Sequence, residues 1–388
     1  MVVLLDCPTI IPDAMKTTTL KTPTPQAPTG TPPLSNPPPG LDTGALTPWL
    51  APLLGPFDGP LRAQRLNGGQ SNPSWWLGAG PRSWVLRAKP GPAASLAPSA
   101  HAIEREFRVL QALQGSGVPV PRVLGLCEDE SVIGAAFYVM EHVPGRVLRD
   151  PMLPGIPVGE RAAYHAQANR VLADLHRVDW RAAGLGDFGR TNGFFARLIR
   201  RWEQQYRASV LAPVDAMERL AEWLPAHIPA GADAEHHVCL THGDYRMENL
   251  MFHPERPEVA AVLDWELSTL GHPLSDLAYH CLAWHLPAGV LRGFGDQDLA
   301  QHGIPGERAY IETYCAQLGR GPGAVLADWP FYLAINLFRL GAILLGIAAR
   351  VRDGTAANPD AHHIARMAQP VAELGWAIAQ GRAPALKT

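Results

Sequence analysis

The stretch Thr241-His-Gly-Asp-Tyr-Arg-Met-Glu-Asn-Leu-Met-Phe252, followed by Val262-Leu-Asp-Trp-Glu266 and His272-Pro-Leu-Ser-Asp-Leu277, decides the reading of the chain. Asp244 and Asn249 stand five positions apart, and apolar residues follow at Leu250, Met251 and Phe252. Residues 254–257 begin and end with proline and read as a turn, and residues 259–263 read as a second short strand. Asn249 then lies just before one strand of a hairpin and Asp264 just after the other. An aspartate, an asparagine and a second aspartate meet at one edge of a small sheet.

Phosphoryl transfer needs such a set. One carboxylate takes or orients the proton of an attacking hydroxyl, while an amide oxygen and a second carboxylate hold Mg²⁺ on nucleotide phosphates. Protein kinases write this as H-R-D-x-x-x-x-N followed by D-F-G. Here His242-Gly243-Asp244 stands for the first and Asp264-Trp265-Glu266 for the second. Alone, Asp-x4-Asn reads first as a hairpin with surface acids; joined to the Leu-Asp-x-Glu strand end fifteen residues on, it reads as catalytic.

The run from His242 to Leu250, with Leu263-Asp-Trp-Glu-Leu-Ser-Thr-Leu-Gly-His-Pro-Leu-Ser-Asp-Leu-Ala-Tyr279, resembles the aminoglycoside-phosphotransferase-like family. It is most similar to the branch found as stand-alone proteins and as the kinase-like domain fused to some acyl-CoA dehydrogenases. The resemblance runs from about Leu61 to the C-terminus. Its motifs are specific for the family and weak for the substrate.

Bulk properties set the outer limits. The 388 residues allow one large two-lobed enzyme or two to three domains, and 47% hydrophobic content is ample for a core. A net charge of −3 predicts no bulk attraction to nucleic acid or to an anionic membrane. No apolar run of eighteen or more is visible, so no membrane span is expected. Cys7, Cys127, Cys239, Cys281 and Cys315 are scattered, which suits a reduced, cytoplasmic compartment. Scattered histidines (His236, His237, His242, His253, His280, His285) show no zinc-ligand spacing. No feature specifies an oligomer.

Residues 1–42 read as a disordered Pro-rich tail, since eight of the eighteen residues 22–39 are proline. Globular text begins at Thr43, where Leu46, Trp49, Leu50, Leu53 and Leu54 have helical spacing. Strands over 61–66, 75–77 and 84–88 follow, the first two joined through Asn67-Gly-Gly-Gln-Ser-Asn72. A Gly-Gly turn brings backbone N–H groups close to phosphate oxygens, or serves only as a hairpin turn. The resemblance implies the former and makes Gly68, Gly69, Ser71 and Asn72 nucleotide contacts. Kinase logic next demands a cation on the third strand and a glutamate on the following helix. Arg87 and Lys89 share one face of that strand. The family pattern matches Arg87, with Lys89 the alternative, and matches Glu106 on a helix spanning 100–113. An arginine forks onto phosphate oxygens but is not isosteric with the usual lysine. A strongly apolar strand over 135–143 ends at Glu141-His-Val-Pro-Gly145. By resemblance it is the hinge between lobes, where backbone groups near Glu141 and Val143 would read adenine.

The remainder reads as helices over 159–178, 193–208 and 214–224, and, past the catalytic stretch, over 306–318, 329–351 and 361–380. Arg197, Arg200, Arg201 and Arg207 read first as a solvated face, and Arg200 and Arg201 second as an anion contact. Arg339, in a helix apolar almost all round, must find a partner or line a pocket. Asp276 reads as a helix-start carboxylate, which in the family braces the catalytic loop.

The expected fold is therefore α+β and protein-kinase-like, with a small β-rich lobe over 43–143 and a larger helical lobe over 144–388. The expected function is ATP-dependent transfer of the γ-phosphoryl group to a small hydroxylated molecule. Asp244 is the base, Asn249 and Asp264 hold Mg²⁺, and Arg87 clamps phosphates against Glu106, with Glu266 a further metal or water partner. The branch implies a hydroxy acid or hydroxyacyl-CoA acceptor. The alternatives are an aminoglycoside-type antibiotic kinase and a non-catalytic nucleotide-binding protein of the same fold. A metal-dependent hydrolase built on the acids and histidines is a third reading.

Overall fold

The computed structural model describes residues 41–66, 72–90, 103–289, 291–356, 358 and 360–387. Leu41 and Asp42, expected at the end of the tail, belong to the folded part. Leu41 is buried, and the Asp42 carboxylate accepts from Gly44 N (2.8 Å) and Ala45 N (3.1 Å). It thereby caps the first helix, α1 (Thr43–Leu54). Residues 1–40, and with them the expected extended tail, lie outside the described residues, as do Gly68, Gly69 and Ser71.

Five strands follow in the small lobe: β1 (Arg62–Arg65), β2 (Ser74–Ala79), β3 (Arg82–Ala88), β4 (Val123–Cys127) and β5 (Phe137–Glu141). They form one antiparallel sheet in the order β1-β2-β3-β5-β4. Alternation along β3 and β5 divides its two faces. Trp84, Leu86, Ala88, Phe137 and Val139 pack outward with Leu46 and Leu50 of α1. Trp49 meets Phe137 edge-on at 4.8 Å. Tyr138 and Arg87 face the other way, toward helix α2 (Ile103–Ala112), which buries Ile103, Glu106, Val109 and Leu110. The sheet is thus closed by one helix on each side, and the inner helix is the one carrying Glu106.

The chain leaves β5 through residues 142–145 and enters β6 (Arg146–Val147). This strand pairs with β8 (Leu250–Phe252), which pairs with β9 (Val259–Val262). The expected hairpin is present. A Cβ at Gly145 would lie 2.7 Å from the carbonyl oxygen of Phe252, so only glycine lets the crossing chain lie this close.

Helices α3 (Val158–Arg177), α4 (Phe194–Ser209) and α5 (Asp215–Ala226) precede the short strand β7 (Cys239–Thr241). Strand β7 pairs with β10 (Thr269–Gly271). Helices α6 (Pro273–Cys281), α7 (Glu307–Gln317), α8 (Gly323–Ala327) and α9 (Trp329–Arg352) come next, then α10 (Ala361–Ala365) and α11 (Ala368–Ala379). Helix α9 is the one described helix long and apolar enough to cross a bilayer by length and composition. Here α4, α5, α6 and α11 surround it, and its apolar surface forms the centre of the large lobe. The single helix expected over 361–380 is two, because Pro370 cannot donate to the carbonyl of Arg366 four residues back.

One buried carboxylate locks the end of the chain. Glu307, at the start of α7, accepts from His285 Nε2, Trp329 Nε1 and the backbone N of Lys387, each at 2.9 Å. Glu307→Ala leaves these donors without an acceptor in a dry site. It should lower the unfolding free energy by about 3–5 kcal/mol, measured by denaturant titration. A loss under about 1 kcal/mol would show that the network does not hold the C-terminal segment.

Candidate active site

The stretch that carries Asp244 and Asn249 is a loop between β7 and β8, shaped by two buried side chains and one glycine. The first is Asp276, in the first turn of α6. Its oxygens accept from His242 N (2.6 Å) and Gly243 N (2.9 Å). The carboxylate thus braces the neighbouring loop, as the family resemblance implied, rather than capping its own helix. His272 caps α6, accepting from Leu274 N at 3.2 Å. The second is His242. Its Nδ1 accepts from Asp244 N (3.2 Å), so Nε2 carries the proton and donates to Leu263 O (2.8 Å). One imidazole thus ties the loop of Asp244 to the strand end that precedes Asp264. The third is Gly243, with φ +81° and its Cβ position only 2.5 Å from Leu267 O. No side chain fits there, and the left-handed backbone favours glycine.

These constraints aim Asp244 and Asn249 at each other. Asn249 Nδ2 donates to Asp244 Oδ2 (2.9 Å) and to its backbone oxygen (2.8 Å). That turns the amide oxygen of Asn249 away from Asp244. Asp264 follows β9 with φ +67°, a left-handed conformation that aspartate tolerates better than most residues. Its Oδ1 lies 2.6 Å from Arg87 Nη2, and Arg87 Nε lies 2.9 Å from Glu106 Oε2. Burial opposes the charge on Arg87, but Glu106, Tyr138 and Asp264 outweigh it, and the guanidinium is held above its ordinary pKa. Lys89 pairs instead with Glu104, two residues earlier on α2. Of the two strand cations, Arg87 reaches the site.

Among the remaining expected residues, Asn72 is fully buried beside Glu106. Glu141 closes β5, its amide donating to Arg122 O at 2.8 Å. Val143 follows at the crossing between lobes, where His142 Nδ1 lies 3.0 Å from Ser83 Oγ. Glu266 sits in the 3₁₀ turn Trp265–Leu267, two positions past Asp264.

The donor set suits a hard divalent cation. The outward amide oxygen of Asn249 and the half-exposed Asp264 carboxylate are both oxygen ligands. One or two protein oxygens completed by phosphates and water is the pattern of Mg²⁺.

Sequence reasoning missed three neighbours. Arg246 contacts Asp244 Oδ1 at 3.1 Å and pairs with Glu248. Tyr279 lies against Asp244; burial first, then that carboxylate, raises its pKa. The signal for Tyr279 was its place three residues after Asp276 on one helix face. His176 stands behind the loop, with Nδ1 2.6 Å from Tyr314 Oη and Nε2 3.4 Å from Asp276 Oδ2. Nothing in sequence spacing pairs it with a residue a hundred positions on.

Burial alone would raise the pKa of Asp276, but His176 and the loop amides hold it below the ordinary value. A depressed carboxylate stabilises the fold above its unfolded pKa and loses that effect as pH falls through the folded one. Asp276→Asn should therefore lower stability at neutral pH, with the gap to wild type narrowing in acid. A constant gap from pH ~7 to pH ~3 in urea titrations would contradict the ionised brace.

Comparison with known proteins identifies the family and the fold. The model of the phosphotransferase enzyme family matches residues 62–313. Mouse acyl-CoA dehydrogenase family member 10 is 45% identical over 338 residues, 86% of this chain and 31% of that protein. Human acyl-CoA dehydrogenase family member 11 is 40% identical over 80% of this chain and 39% of its own length. The chain thus spans less than half the length of these curated relatives. A crystal structure from Ralstonia eutropha, of a protein placed among the aminoglycoside phosphotransferases, superposes with a TM-score of 0.79. It has 47% identity and covers 90% of this chain and all of that one. The APH(4)-Ia ternary complex with AMP-PNP and hygromycin B shares the fold at a TM-score of 0.56 and 16% identity, over 87% of this chain and 99% of that one. By sequence and by its two-lobed, protein-kinase-like α+β architecture, the chain belongs to the phosphotransferase enzyme family.

Proposed function

We propose that the protein is an ATP-dependent phosphotransferase acting on the hydroxyl of a small molecule, with a hydroxy acid or hydroxyacyl-CoA as acceptor. The observation that carries this reading is the convergence of Asp244, Asn249, Asp264, Arg87 and Glu106, drawn from both lobes, on one edge. ATP lies between the small lobe, residues 43–143, and the large lobe, residues 144–388. The loop of Gly68, Gly69, Ser71 and Asn72 covers its phosphates, and the backbone near Glu141 and Val143 reads adenine.

Asp244 orients the acceptor hydroxyl and takes its proton as the oxygen–phosphorus bond forms and the bond to the ADP leaving group breaks. A loose transition state asks more for positioning than for a strong base. The hydrogen bond from Asn249 to Oδ2 and the contacts of Arg246 with both oxygens fix the orientation of the Asp244 carboxylate. Mg²⁺, held by Asn249 and Asp264 with Glu266 nearby, would neutralise charge on the phosphates. Arg87 brings a preorganised fork to the same place, with its orientation set by Glu106. The acyl-CoA dehydrogenase names of the longer relatives support an acyl-type acceptor. The intact acid and amide set argues against a non-catalytic scaffold.

Asp264→Ala should abolish Mg·ATP turnover, since it removes the carboxylate that joins metal to phosphates. Arg87→Ala should cost roughly 2–4 kcal/mol of transition-state stabilisation, with partial recovery in Arg87→Lys. Lys89→Ala, whose partner is Glu104, should stay near wild type. Steady-state kinetics with a mass-spectrometric screen of hydroxylated metabolites and aminoglycosides checks all four variants. Wild-type turnover in Asp264→Ala would overturn the assignment.

A further inference from the structure

The phosphotransferase chemistry leaves one buried charge unexplained. Arg339 lies in the apolar helix α9 with 4% of its surface exposed. Its Nε has no hydrogen-bond partner, and among the described residues no ion pair reaches it. Only aromatic faces hold it: its guanidinium carbon sits 4.1 Å over the Tyr279 ring and 5.3 Å from the Trp202 ring. Cation–π contact offsets part of the desolvation of a guanidinium, and an anion would offset far more.

The neighbours give this charge its direction. Tyr279 stands between it and the catalytic carboxylate, feeling Asp244 on one hand and Arg246 and Arg339 on the other. Arg201, one of the two α4 arginines read second as an anion contact, packs 5.4 Å from the Trp202 ring and feels the charge of Arg339. Arg201 is also solvent-exposed, which opens the cluster to the outside. Arg246 and Arg292 stand close by, but Asp244 and Glu248 already answer them. Among the described residues around Tyr279 and Trp202, no ion pair reaches Arg201 or Arg339.

We propose that Arg339 and Arg201 form an anion subsite beside Asp244. The acceptor is then a hydroxylated molecule bearing an oxyanion, held by that group with its hydroxyl turned to Asp244. This rests on the phosphotransferase reading for the hydroxyl, but not for the anion. The shared chemistry is a carboxylate or phosphate oxygen paired to a guanidinium fork. It is either the free carboxylate of a hydroxy acid or a phosphate of a carrier thioester. A polycationic aminoglycoside meets like charge there and is refused.

The test uses the full chain with Mg·ATP and four acceptors: hydroxybutyrate, its methyl ester, its CoA thioester and kanamycin. Wild type should prefer the acid or the thioester over the ester and over kanamycin. Preference for the acid marks a carboxylate, and preference for the thioester marks carrier phosphate. Arg339→Met and Arg201→Gln should each shrink that preference by about 10–100-fold. Because an uncompensated charge is removed, Arg339→Met should keep or raise the melting temperature, which a structural role would lower. Calorimetric binding of hydroxybutyrate and its CoA thioester without nucleotide should weaken in both variants. Transfer with unchanged selectivity in both variants, or with kanamycin or the ester preferred, overturns the subsite and leaves the phosphotransferase reading standing. Acceptor binding that both variants lose, with no phosphate transfer by wild type, supports the subsite and sinks the phosphotransferase reading instead.

Discussion

The guanidinium of Arg87 is the point on which the two lobes agree. It is largely shielded from water, forked, and divided between Glu106 of α2 and Asp264 beyond β9. A buried arginine without anions would be costly, and two carboxylates near each other without a cation would be costly too. Each group makes the burial of the others tolerable. The arrangement therefore demands that β3, α2 and the loop after β9 come to one place. The outer helix α1 and the outward-facing half of the sheet serve that end by holding β3 and β5 in register.

The loop of Asp244 is held by a different means, from behind. Asp276 receives two backbone amides, and His242 passes the constraint on to Leu263. Neither residue need touch a substrate. Their effect is to remove freedom from Asp244, Asn249 and Asp264 before anything binds, which is what a reaction governed by positioning asks of a protein. The cost appears as positive φ at Gly243 and Asp264, backbone that a less constrained loop would avoid.

Arg339 follows the opposite logic. Arg87 and Asp276 have partners that settle their charges, whereas Arg339 has ring faces and no carboxylate. Proteins keep such a departure from good core packing where function requires it. Its position in the long, buried helix α9 makes it a fixed charge, unable to swing away into water. Fixed charges discriminate between ligands better than mobile ones, since they lose no freedom on binding.

The sequence by itself determined the elements and the chemistry they carry. Apolar periodicity placed α1, the hairpin of β8 and β9, and the long α9 near their observed bounds. The spacing of Asp244, Asn249 and Asp264 along that hairpin made their convergence legible, because a hairpin joins its two ends by local geometry alone. What lay beyond its reach depends on long-range packing. Strand periodicity put two cations on one face and only the family pattern ranked Arg87 first; the packing of α2 sets Glu106 against Arg87 and Glu104 against Lys89. The family resemblance pointed Asp276 at the loop, but only the packing beside β7 shows which amides it receives, those of His242 and Gly243. Glu307, His285 and Lys387 carry no motif, yet meet in one buried knot. Arg339 could be flagged as a misfit, but only the tertiary structure put Tyr279, Trp202 and Arg201 around it. Local pattern reports what a segment will form; which side chains share a dry volume is decided when the segments pack.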